Sequence, residues 1–109
     1  EIKLEEWQKV LLDAANLIEE RGWTQGSLKD SKGYCMLGAI QQTIYGNTYS
    51  SGMHSDWYGK KESLKRKLYD KVISRLCETT GSFMVWTWND RHGQTKDEVI
   101  KALQQAAKM

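Results

Sequence analysis

The sequence predicts a mainly α, compact single domain spanning residues 1–109 and built from about four helices. Three observations carry that expectation. Apolar residues recur at steps of three and four along several stretches, the signature of helices with one buried face. Nine glycines and no proline leave the turns to Gly, Asn, Asp and Ser, which favours short connections ended by glycine caps. A chain of 109 residues, 39% hydrophobic and 28% charged, has enough apolar surface for one core and too little for two.

The first helix is expected from Leu4 to Arg21, with Trp7, Val10, Leu11, Ala14, Leu17 and Ile18 inward and Gly22 at its end. Glu5 and Glu6 in its first turn complement the helix dipole. Residues 23–33 read as a connection. A second helix is expected from Tyr34 to Tyr45, with Leu37, Ile40 and Ile44 inward and Gly46 closing it. Gly38 inside that helix costs about 1 kcal/mol against Ala, so another helix or a bulky ring should pass close to it. A polar loop, 47–60, precedes a third helix from about Lys61 to Cys77. Its inward face is Leu64, Leu68, Val72, Ile73 and Leu76, and Thr79-Thr80-Gly81 stops it.

Ser82 to Trp88 is rich in β-favouring residues, and seven residues are too few for periodicity to separate a strand from a helical turn. If it is extended, it can pair with Trp23 to Leu28 in a two-stranded ribbon, and Trp86 and Trp88 then share one side. Thr95 and Glu98 have the spacing of a capping box and open a last helix carrying Val99, Ile100, Leu103, Ala106 and Ala107.

Composition excludes several classes. No apolar run approaches the roughly 18 residues of a membrane span, and the charged opening Glu1-Ile2-Lys3-Leu4-Glu5-Glu6 does not resemble the apolar core of a signal peptide. The expected compartment is cytoplasmic, with no membrane partner. A net charge of +2 is too small to indicate nucleic-acid binding by itself. Cys35 and Cys77 make no disulfide framework and read as buried free thiols.

Two islands carry what chemistry the chain specifies. Tyr34-Cys35-Met36-Leu37-Gly38-Ala39 opens the second helix, and Trp88-Asn89-Asp90 lies ahead of the last one. At a helix start the Cys35 thiol is expected to have a lowered pKa, and Cys35, His92 and Asp90 compose a candidate nucleophile, base and orienting acid. The alternative is structural: Cys35 packs beside Gly38, and Asn89 and Asp90 cap the turn. On that second reading the two islands touch in the folded core. Zinc binding by Cys35, His54, Cys77 and His92 lacks the close paired spacing of structural sites, and no metal or other cofactor is expected.

The strongest charge feature is Lys60, Lys61, Lys65, Arg66, Lys67, Lys71 and Arg75. On a helix, Lys60, Lys67 and Lys71 share an outward side. Together with Trp57, Tyr58, Lys65, Trp88 and Asn89 they form a candidate binding surface for an acidic protein surface or, alternatively, for a nucleotide or nucleic acid held by phosphate neutralisation and base stacking.

The order of motifs, Leu17-Ile18-Glu19-Glu20-Arg21-Gly22-Trp23 with Gln25-Gly26, then the Cys35 island, then Trp88-Asn89-Asp90, then Thr95 with Glu98-Val99-Ile100, resembles a family of small domains of unknown function found in bacteria and their phages. The resemblance spans about residues 8–108. It implies a compact domain, often phage-encoded, and brings no activity or cofactor. The function expected from it is that of a phage or prophage accessory domain that modulates or inhibits a host or phage protein by binding it.

Overall fold

A computed structural model describes residues 3–46, 48 and 63–108. Among these described residues five helices and one small ribbon follow one another in the order α1 (Glu6–Arg21), β1 (Lys29–Asp30), β2 (Gly33–Tyr34), α2 (Met36–Tyr45), α3 (Ser63–Thr80), α4 (Val85–Asn89) and α5 (Lys96–Ala107). The mainly helical class expected from the sequence is therefore what is observed.

Helix α1 is the centre of the assembly. It packs chiefly on α5 and α2 and also meets α3, burying Trp7, Val10, Leu11, Ala14, Ala15 and Ile18. Its start is fixed by Gln8, whose side-chain oxygen accepts from the Glu5 amide at 2.8 Å while its amide group donates to the Ala107 carbonyl, also at 2.8 Å. Opposite it, α5 buries Val99, Ile100, Ala102, Leu103, Ala106 and Ala107. Half of the expected capping box is formed. Thr95 Oγ1 accepts from the Glu98 amide at 3.2 Å, but the Thr95 amide turns to Gln94 Oε1 at 3.4 Å and the Glu98 carboxylate to Arg91 at 3.6 Å.

The ribbon lies elsewhere than the sequence suggested. β1 and β2 pair antiparallel, Lys29 opposite Tyr34 and Asp30 opposite Gly33, around a turn in which Asp30 Oδ1 accepts from the Lys32 amide at 2.8 Å. Trp23 makes one parallel bridge to Tyr34. Residues 83–88, expected as a possible partner strand, instead run into α4. Val85 and Asn89, four residues apart, are both buried while Thr87 between them is exposed, a pattern that a helical turn gives and a strand, which would put all three on one face, does not. That anchoring outweighs β propensities spanning only about 1 kcal/mol. Trp86 and Trp88 consequently diverge, Trp86 to solvent and Trp88 half-buried against the core.

Smaller corrections follow the same logic. Helix α2 starts at Met36 rather than Tyr34, because Tyr34 belongs to the ribbon and Cys35 is the N-cap. Its C-terminal Gly46 has φ 77°, the left-handed cap expected there. Thr79 and Thr80 continue α3, their hydroxyls donating to the Arg75 and Leu76 carbonyls at 2.9 Å each. Gly81 then ends the helix. Leu64, expected inward, is 76% exposed. The fully buried positions of α3 begin at Val72, so its first turn projects beyond the core.

Gly38 is approached by backbone rather than by a ring or helix. A Cβ there would overlap the Leu28 carbonyl oxygen, the same oxygen that accepts from the Cys35 amide at 3.1 Å. Gly38→Ala should thus lower stability by about 1–3 kcal/mol, the usual cost of overpacking, although Ala is the better helix former by about 1 kcal/mol. Urea unfolding checks this, and an equal or more stable variant would contradict the close approach.

Candidate functional site

The two sequence islands meet, and Asn89 is where they do so. Its side chain is wholly buried. Oδ1 accepts from the Trp23 indole N–H at 2.7 Å and from the Met36 amide at 3.0 Å. Nδ2 donates to the Thr24 carbonyl at 3.0 Å and to Asp90 Oδ1 at 2.9 Å. Two accepted and two donated bonds exhaust what a carboxamide can make. The Met36 amide is among those left without an intrahelical partner at a helix start, so Asn89 caps α2 from across the fold.

Neighbouring groups complete the junction. Gln25 Nε2 donates to the Asn89 and Arg91 carbonyls at 3.1 and 3.2 Å, and the Gly26 amide donates to Asp90 Oδ1 at 3.0 Å. Gln94 Nε2 reaches the Trp88 carbonyl at 2.8 Å. Thr24 Oγ1 donates to Asp30 Oδ2 at 2.7 Å. That bond, followed by the Lys32 amide, holds the Asp30 carboxyl below its ordinary pKa.

Cys35 lies in the same junction with its sulfur turned inward. It is 2% exposed, and Sγ accepts from the Gly38 amide at 3.2 Å, a thiol acting as N-cap. The expected lowering of its pKa is reversed. Burial pushes the thiol up, the Gly38 and Leu37 amides pull it down by less, and the Asp90 charge adds to the rise. Asp90 lies near enough for its charge to act on the Cys35 thiol, while His92 sits exposed in the turn beyond Asp90. No hydrogen bond joins His92 to either among the described residues. Among those residues no cluster of three or more His, Cys, Asp or Glu side chains could hold a metal ion. His54 lies outside them.

The basic helix is more neutralised than its sequence suggests. Arg66 pairs with Asp70 at 3.2 Å and Arg75 with Glu78 at 3.6 Å. Lys71 and Arg75 also lie over the Trp7 ring, 5.7 and 5.1 Å from its centroid. Lys65, Lys67 and Lys71 are exposed. Trp57, Tyr58 and Lys60, the rest of that candidate surface, fall outside the described residues. Trp88 is half-buried with the Arg91 guanidinium 5.5 Å from its ring centroid, and Asn89 has no free valence to offer a ligand.

One surface escaped the sequence reading. Phe83 is 98% exposed, Met84 45% and Trp86 46%, three large apolar side chains within four residues at the turn from α3 into α4. Gly81-Ser82 just ahead of them marks a turn, and that was the available signal.

The model of a family of unknown function, DUF6197, matches residues 4–109. The chain belongs to that family. No curated protein and no solved structure matches it. Both islands and the Asn89 junction lie within the span that the DUF6197 model covers, as does the exposed Phe83 turn. No helix among the described residues is long and apolar enough to cross a membrane.

Asn89→Ala should strip partners from the Trp23 indole, the Met36 amide and the Thr24 carbonyl together. With about 1–3 kcal/mol for each buried group left unpaired, the expected loss is about 3 kcal/mol or more by chemical denaturation. Asn89→Asp should also destabilise, since an oxygen would then face the Thr24 carbonyl and the Asp90 carboxylate. A loss under about 1 kcal/mol for both would contradict the junction's role.

The Cys35 thiol holds its proton in the folded state past its ordinary value of about 9. Its contribution therefore favours folding below that value and is lost as pH rises through the raised one. In a Cys77→Ser background, alkylation of Cys35 should be slow and should accelerate only above about pH 9. An inflection below pH 8 would mean an activated thiolate instead.

Proposed function

We propose that this domain works by binding a protein rather than by catalysis, as a phage or prophage accessory module that modulates or inhibits a host or phage target. The observation that carries this reading is the exposed Phe83, Met84 and Trp86 group. Isolated exposed apolar side chains are ordinary, whereas a contiguous group marks an interaction site. Trp is also among the residues that dominate interface energetics. Lys67 and Lys71, outward on α3, are a separate cationic face suited to acidic side chains, set well ahead of the Phe83 turn along the chain.

The interior argues in the same direction. Cys35 is enclosed and its thiol pushed up, and Asn89 is consumed by the fold, so neither is presented to a substrate. Nucleic-acid binding is the weaker reading, because Arg66 and Arg75 are already paired with carboxylates.

The immobilised domain should retain one specific protein from bacterial lysate, and Phe83→Ala with Trp86→Ala should abolish that retention. A labelled single-stranded oligonucleotide should show no saturable binding. Tight oligonucleotide binding that weakens steeply with salt, or retention indifferent to the double variant, would count against the proposal.

A further inference from the structure

Deepening the protein-binding reading above, on which it rests, we infer that Phe83 is the anchor of the interface and that it enters an uncharged apolar cleft on a folded partner protein. The first argument is shape. A phenylalanine 98% exposed touches almost nothing among the described residues, so it stands out as a knob, and the complement of a knob is a cleft.

The second argument is rigidity. The Ser82 amide donates to Thr80 Oγ1 at 3.3 Å, the Met84 amide donates to Ser82 Oγ at 3.3 Å, and Ser82 Oγ donates to the Met84 carbonyl at 3.2 Å. The Phe83 carbonyl accepts from Cys77 Sγ at 3.5 Å. Both neighbours of Phe83 are thus tied down, and the anchor is presented with its backbone already ordered. Preorganisation of this kind removes part of the entropy cost of association.

The third argument is charge, and it selects the partner. From Leu76 to Asp90 the sequence holds no Lys, Arg or His, while Glu78 and Asp90 are acidic. The nearest cations on either side, Arg75 and Arg91, are bound to Glu78 and Glu98. Aromatic groups that stack on nucleic acid, or insert at an anionic membrane surface, are accompanied by free Lys and Arg. This turn lacks that company, which leaves a neutral apolar surface.

The fourth argument is complementarity of shape, and it disfavours a second copy of this chain, because two knobs do not fill one another. The three side chains expose roughly 400 Å² by ordinary residue sizes, so the rest of the roughly 1,200 Å² at which stable interfaces begin must come from the walls of the partner's cleft and from surface around this turn.

The test places the photocrosslinking residue benzoylphenylalanine at position 83, and separately at position 78 on the exposed face of α3, in the full chain expressed in the bacterial host. Crosslinking from position 83 to one protein is expected, with the crosslinked peptide mapping to an apolar cleft of that partner. The purified partner should then bind Phe83→Ala at least about 30-fold more weakly than the parent chain, the range of interface anchors. Lys67→Glu with Lys71→Glu should cost less than about threefold. Because Phe83 is 98% exposed and packs on no core residue among those described, its replacement should leave folding intact, which circular dichroism checks.

Failures of the inference and of the wider reading are distinguishable. A partner captured from position 78 and lost with the lysine variants, but indifferent to Phe83→Ala, overturns the anchor and leaves protein binding standing. Crosslinking to a second copy of the chain, or a Phe83-dependent blue shift of tryptophan emission with phosphatidylserine–phosphatidylcholine vesicles, overturns the choice of partner. No crosslink from either position overturns both.

Discussion

The carboxamide of Asn89 determines how the non-helical part of this domain is laid down. Its four bonds reach Trp23 and Thr24 just after α1, Met36 at the start of α2, and Asp90 at the end of α4. Three segments far apart in sequence are thereby referred to one buried atom group. The low dielectric of the interior strengthens each bond and makes each missing one costly. An apolar residue could fill the same space, but it would leave the indole N–H and the Met36 amide without acceptors. The network therefore specifies one arrangement of α4 and the loop, where hydrophobic packing alone would accept several.

Around that carboxamide the backbone comes unusually close to itself. Gly22, with φ 103°, and Gly33, with φ 142°, pass one another so tightly that a Cβ on Gly22 would overlap the Lys32 carbonyl and one on Gly33 the Gly22 backbone. Gly38 does the same against the Leu28 carbonyl. The contacts are made productive by hydrogen bonds, from the Tyr34 amide to the Gly22 carbonyl and from the Thr24 amide to the Tyr34 carbonyl, each at 3.1 Å. Glycine at 22, 33 and 38 is thus a spatial requirement as much as a conformational one, and it lets the ribbon tuck between α1 and α2.

Much of the fold was legible in the sequence, and for identifiable reasons. Helices α1 and α5 announce themselves because their apolar stripes repeat over three or more turns, and Gly22, Gly46 and Gly81 mark ends where expected. The meeting of the Cys35 and Asn89 islands was also readable, since small residues beside an isolated Asn-Asp pair suggest a packed turn. Helix α4 was not, because a five-residue helix is shorter than any periodic window and its sequence favours strands. Nor was the exposure of Phe83 and Leu64, which depends on where the core ends rather than on local pattern. The Cys35 thiol illustrates a competition: helix-start amides lower its pKa, as position suggested, but burial, invisible in sequence, acts more strongly.

The pairing of α1 with α5 has a consequence for how the chain reaches this state. The helix on which α2, α3 and α5 pack is the first of the five described, and its main partner is the fifth, with Gln8 bonded to the carbonyl of Ala107 across 99 positions. During synthesis α2 covers part of α1 early, but the face of α1 that meets α5 stays uncovered until α5 has left the ribosome. Loop-closure entropy is then offset only at the end. Closing the α1–α5 contact is therefore a late event in building the domain, and it ties the integrity of α1 to a helix made long after it.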